Sequence, residues 1–216
     1  MPNQRADQIQ TRHQLLFEFM RGWLQGRGYL RALEAMYYGQ SIHTGVRKDR
    51  VTPEFSHQLE MAESSIVFAD QLIEPEETFL SFFLHDSPED VPESEPEILR
   101  RFGPDTTRRL QLISNHTGGV KKNPAQWYVS MSLDPVISVT KGVDRRHNTR
   151  SMVGVFTFEK QIEYIRETEE VVLPMLDAAR QRFTKQEAIY RSLHSQIVIQ
   201  LELIKAIHEA ARASSQ

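Results

Sequence analysis

The chain is predicted to be all-α, a helical bundle of about ten helices with no substantial sheet. Three observations carry this. Apolar residues recur at spacings of three and four, as in Leu15, Leu16, Phe19, Met20, Trp23 and Leu24, which is one face of a helix. An acidic or polar residue followed by proline recurs at Thr52-Pro53, Glu74-Pro75, Glu95-Pro96, Asn123-Pro124 and Asp134-Pro135; the first residue suits a cap and proline suits the first turn. No stretch sustains the alternation of a half-buried strand.

The elements follow in order. A helix over residues 5–25 ends at Gly26 and Gly28, residues that suit a helix terminus. A second covers Tyr29 to His43, with Leu30, Leu33, Met36 and Tyr37 on one side. Gly45 to Pro53 is a charged loop. The next helix is expected to begin at Pro53 and run to about Leu72. Glu74-Pro75 opens another, which carries Phe79, Leu80, Phe82, Phe83 and Leu84 into the core. It leads into His85-Asp86-Ser87-Pro88-Glu89-Asp90. Pro88 restricts Ser87, so a break is expected there. Gly103-Pro104 marks a further start, and His116 to Asn123 reads as a basic, glycine-containing loop. Helices are expected over Asp134–Met152, over Phe158 to about Phe183, and over Lys185–Ala211. Residues 1–183 are read as one unit, and 184–216 as a C-terminal helix packing on the core or on a partner.

Composition narrows the chemistry. The chain has no cysteine, which excludes disulfides, thiolate metal sites and cysteine nucleophiles. Its 26 basic and 29 acidic residues give a net charge of −3, which argues against nucleic acid or an anionic membrane as partner. No apolar signal core opens the chain and no run approaches a membrane span of about 20 residues. A cytoplasmic location is the expectation.

Histidine and carboxylates together suit borderline divalent ions such as Mn, Fe or Zn. On a regular helix His85 and Asp86 point about 100° apart, so they share an ion only at a helix end or with help from elsewhere. His57 and Asp144 can supply that help. Lys141, Asp144 and Asn148 stand at i, i+3 and i+7 on one helical face, a cation, an anion and an amide on one stripe. Each taken alone has a plainer reading: a satisfied core histidine, an ordinary ion pair, an acidic helix start. Arg47, Lys48, Lys121, Lys122 and Lys141 are the cations that could meet phosphates, and for Lys121 and Lys122 a solvated loop is at least as good a reading.

In this order the blocks resemble the HD-domain phosphohydrolases, and more narrowly the hydrolase domain of the RelA/SpoT-homologue family with its small alarmone hydrolases. The blocks are Arg47-Lys48-Asp49 with Thr52-Pro53 and His57; His85-Asp86 with Glu89-Asp90; Lys141 with Asp144, Arg145, His147 and Asn148; and, more loosely, Lys160, Tyr164 and Glu167. They span residues 30–180. The resemblance implies an HD-type helical fold and one divalent metal, most often Mn2+, held by His57, His85, Asp86 and Asp144. It implies catalytic acids at Glu89 and Asp90, and substrate contacts at Arg47, Lys48, Lys141, Asn148 and Tyr164. The implied reaction is removal of pyrophosphate from the 3′ position of guanosine tetra- or pentaphosphate. Three features depart from the family pattern: the loop Asp49-Arg50-Val51-Thr52-Pro53, Gln58 where the family has proline, and Pro88 inside the acidic motif. Alternatives are another nucleotide substrate (an adenosine alarmone, a dNTP or NADPH) and a non-catalytic nucleotide-binding regulator. A homo-oligomer through the last helix is a further expectation.

Overall fold

Helix α1 (Pro2–Arg27) turns at Gly28 into α2 (Leu30–Ile42). The computed structural model describes residues 2–117 and 119–214. Gly118, within the expected basic loop, and Met1, Ser215 and Gln216, at the ends of the two expected units, lie outside the described residues.

The chain then reaches α3 (Ser56–Ser65), which tightens into a 3₁₀ segment over Ile66–Gln71. The helix expected from Pro53 starts three residues later. Val46 bridges Pro53, the Arg47 amide donates to the Thr52 carbonyl and the Glu54 amide to the Gly45 carbonyl. These bonds hold residues 45–54 as a closed loop, and the Asp49 carboxylate fastens its tip by accepting from the Val51 and Thr52 amides.

Helix α4 (Pro75–Leu84) is the buried axis of the fold, with every residue from Thr78 to Leu84 inside. Its five large apolar side chains each contribute roughly 1.5–3 kcal/mol by leaving water, which fixes where α4 ends. α2 lies against it so closely that a Cβ on Gly39 would stand 2.6 Å from the Phe83 carbonyl oxygen. Two turn residues, His85 and Asp86, separate α4 from the short α5 (Ser87–Asp90). The expected break is present, and its cause is that Pro88 has no N–H for the carbonyl four residues back.

Helix α6 (Glu95–Ile113) bends at Gly103, whose φ of 82° accommodates the kink before Pro104. The basic loop is more ordered than expected. His116–Thr117 (β1) and Val120–Lys121 (β2) pair antiparallel, so two short strands stand where none was expected. Lys122 Nζ donates to the carbonyls of Gln111, Leu112 and Ser114, closing the end of α6.

α7 (Pro124–Met131) and α8 (Pro135–Ser151) start at their predicted proline signals. Asn123 caps the first, and Asp134 caps the second by accepting from the Val136 and Ile137 amides. α8 runs against α3, α4 and the later helices. The long helix expected from Phe158 is α9 (Phe158–Glu167) and α10 (Leu173–Arg182), joined by a π-helical turn over Thr168–Val172. α11 (Glu187–Ala213) lays Ile189, Tyr190, Leu193, Ile197, Leu201 and Ile204 against α8 and α10. Among the described residues no helix is long and apolar enough to cross a membrane.

Candidate metal centre

Three elements meet at one point. α3 brings His57, the α4–α5 corner brings His85 and Asp86, and the middle of α8 brings Asp144. Ligand atoms of His57, His85 and Asp144 all lie within 4.8 Å of one another. Asp86 closes the fourth side, with Oδ1 3.0 Å from His85 Nε2 and Oδ2 4.0 Å from His57 Nε2. His57 Nε2 is 3.3 Å from Asp144 Oδ1, and His85 Nε2 is 3.8 Å from it.

The hydrogen bonds around the rings assign the ligand atoms. His85 Nδ1 faces the Phe82 carbonyl at 3.0 Å, so it carries the proton and Nε2 presents a lone pair. Nε2 is buried and lacks an aligned hydrogen-bond partner despite its short distance to Asp86. On the other side, His147 Nε2 lies 2.8 Å from Glu60 Oε2, and His57 Nδ1 lies 2.8 Å from His147 Nδ1. Glu60 accepts: the His147 hydrogen bond, with Arg150 and Arg12 nearby, outweighs burial and holds it down to about 2. An uncharged imidazole donating from Nε2 accepts at Nδ1, so His57 Nδ1–H points at His147. His57 Nε2 is then also a lone pair, and burial pushes that ring down to about 4.

Two lone pairs and two carboxylates thus converge on one buried point. Burial alone would raise the Asp144 carboxyl, but Lys141 and the two imidazoles hold it well below the ordinary range. Burial would likewise lower His85, yet Asp86 and Asp144 push it up to about 10, so its Nε2 holds either a proton or a cation that takes the proton's place. The place calls for positive charge. Two imidazoles and two carboxylates are a donor set for a divalent ion, and the bare Nε2 of His85 shows that the residues fit one.

The other predicted residues surround this centre. A cleft of ≈ 410 Å³ opens over it, lined among others by Arg47, Lys48, His57, Asp86, Asp90, Asn148 and Tyr164; small-molecule sites span about 300–1,000 Å³. Lys48 Nζ sits over the Phe156 ring at 4.6 Å. Lys141 Nζ is 3.0 Å from Asp144 Oδ2 and faces the Trp127 ring, so it backs the ligand rather than lining the cleft. Asn148 Nδ2 donates to Asp144 Oδ1. Tyr164 is held under the Arg145 guanidinium, 3.9 Å from its ring centroid, and burial raises its phenol to about 12. Arg145 also bonds Thr168 Oγ1 at the start of the π turn and the Tyr128 hydroxyl.

The acidic pair divides. Asp90 faces the cleft, where burial and then Asp86 raise its carboxyl to about 6. Glu89 turns away and accepts from the Asn115 amide at 2.6 Å and from its side chain at 3.1 Å. Sequence reasoning missed Glu54 and Phe156, which also line the cleft. It noted Gln58 only as a departure, although Gln58 Nε2 donates to Asp86 Oδ2. The Glu60 partner of His147 was missed as well, and nothing local marks it, since the two are 87 residues apart.

A solved structure described as a metazoan ortholog of SpoT that hydrolyzes ppGpp, with a role in starvation responses, superimposes with a TM-score of 0.59. It covers 77% of this chain and 94% of that one, at 19% identity. This chain has the SpoT-ortholog fold. Two curated proteins named GTP pyrophosphokinase, from Streptomyces antibioticus and Streptomyces coelicolor, are each 28% identical to it over 153 residues, 68% of this chain. The chain spans 18% of the length of those relatives. No family model matches it.

Proposed function

We propose that the chain is a metal-dependent hydrolase that removes pyrophosphate from the 3′ position of guanosine tetra- or pentaphosphate. The observation that carries this reading is the convergence of His57, His85, Asp86 and Asp144 at the floor of a cleft whose rim bears Arg47 and Lys48. A divalent ion held by those four residues, Mn2+ being our choice, would acidify a water and offset phosphate charge. The rest falls to the chain's own groups. Arg47 and Lys48 hold the diphosphate by charge-assisted bonds. Tyr164 and Phe156 give the cleft an aromatic wall against which a purine can stack. Asp90 is the group placed to take the proton from the attacking water. Asn148 and Lys141 keep the Asp144 carboxylate in one orientation.

The hydrolytic direction is supported by the histidine–aspartate centre and by the fold it shares with a ppGpp-hydrolysing protein. The test is incubation of the purified protein with Mn2+ and guanosine tetraphosphate. GDP and pyrophosphate are the expected products, and His85→Ala and Asp86→Ala should each abolish them. Intact alarmone after incubation with metal-loaded wild type would sink the proposal. A panel with adenosine alarmones, dNTPs and NADPH then finds the substrate.

A further inference from the structure

A second group of ligands lines the same cleft. His43, at the end of α2, Glu54, before α3, and Asp90, at the end of α5, each place one ligand atom within 4.8 Å of the others. Three separate elements therefore converge again, and none of the three residues is a ligand of the first centre.

Two observations point to a cation. First, neither the Glu54 nor the Asp90 carboxylate has a hydrogen bond or ion pair to any described residue. Two neighbouring acids thus have no ion pair among the described residues to offset their repulsion, which a cation would relieve. Second, His43 is 3% exposed and its Nδ1 is buried without a hydrogen-bond partner. Its Nε2 has a distant neighbour in Ser87 Oγ at 3.4 Å. A buried imidazole nitrogen left unpaired costs free energy comparable to a lost hydrogen bond, unless it has a ligand to bind. The acids also have room, because Glu54 and Asp90 line the cleft while His43 closes the group from behind.

We propose that His43, Glu54 and Asp90 form a second divalent-cation site beside the first. Two carboxylates and one imidazole suit Mn2+, which accepts mixed oxygen and nitrogen ligands and keeps waters at its open positions. Under the proposed hydrolase reading, such a cation would offset the charge of the substrate diphosphate, held by one Asp90 oxygen while the other stays free to take the attacking water's proton. That role rests on the hydrolase reading; the site itself does not.

The experiment counts metal without using turnover. Free Mn2+ is followed by its electron paramagnetic resonance signal while the ion is titrated into wild type, His43→Ala, Glu54→Gln and His57→Ala. Wild type should bind two equivalents, one tight and one weaker. Glu54→Gln and His43→Ala should each bind one, with the tight constant unchanged, and His57→Ala should lose the tight one. Glu54 is partly exposed, so its variant keeps the test open if His43→Ala does not fold. A single equivalent in wild type up to millimolar Mn2+, or two in Glu54→Gln, overturns the proposal. Two equivalents without alarmone hydrolysis would leave the site standing and reject the substrate reading.

Discussion

Replacing His147 with alanine should weaken Mn2+ binding although His147 touches no ion. The reason lies in the chain from Glu60 through His147 to His57, two contacts of 2.8 Å each. Without His147 the buried Nδ1–H of His57 loses its acceptor, and an unsatisfied buried donor costs about 1–3 kcal/mol. His57 can recover by moving that proton to Nε2, the atom that faces Asp144 at 3.3 Å. That tautomer cannot ligate. Binding metal must then reverse the shift, so the cost appears in the dissociation constant. At about 1.4 kcal/mol per decade, a loss of roughly 10- to 100-fold is expected. His147→Gln, whose amide oxygen can accept, should recover part of the loss. Calorimetric titration with Mn2+ reads the constant, and circular dichroism checks that each variant is folded. A folded His147→Ala that binds within threefold of wild type would refute the relay.

Further expectations concern the frame around the centre. Gly39→Ala gains about 1 kcal/mol of helix propensity but overpacks the α2–α4 contact, where the Phe83 carbonyl cannot rotate away. A net loss of up to about 2 kcal/mol, or as much as roughly 8 °C in Tm, should follow, and a raised Tm in thermal denaturation would contradict the close approach. Glu60 has its carboxyl depressed from the ordinary value to about 2. Its stabilising effect is therefore full above about pH 4.5 and lost as pH falls toward 2. Glu60→Gln should lie below wild type in Tm at neutral pH, and the gap should close over that acid range; a constant gap would speak against it. Asp90→Asn should slow turnover by about 10²- to 10⁴-fold as a lost proton acceptor. Glu89→Gln should act more weakly on turnover and instead raise protease cleavage near Asn115; equal losses of turnover would show that both acids serve the chemistry.

What could be read from the sequence was what is local. Asp134-Pro135 and Asn123-Pro124 start helices because cap and proline act on the next three residues. Thr52-Pro53 carries the same signal and fails, because the Gly45 and Thr52 carbonyls recruit amides from across the loop. The two short strands were missed since their pairing spans one tight turn with no alternating run on either side. At the centre, residue types and the family resemblance pointed to His57, His85, Asp86 and Asp144, and the structure brings these side chains together. Direction did not follow from order: Glu89 and Asp90 are adjacent, and a contact with Asn115, 26 residues away, decides which one faces the cleft. The His43–Glu54–Asp90 group shows the same limit, as it joins the ends of three elements that no spacing rule connects.

The corner at His85-Asp86 has one more consequence. His85 and Asp86 follow directly on α4, whose position is set by its buried aromatic and aliphatic side chains. Asp90 is borne by a four-residue helix that begins anew after the corner. The two halves of the motif meet at the Asp86 carbonyl, which accepts from the Glu89 and Asp90 amides. Under the proposed reading, changes in α5 would reshape the cleft around Asp90 while His85 and Asp86 stay fixed at the end of the buried α4.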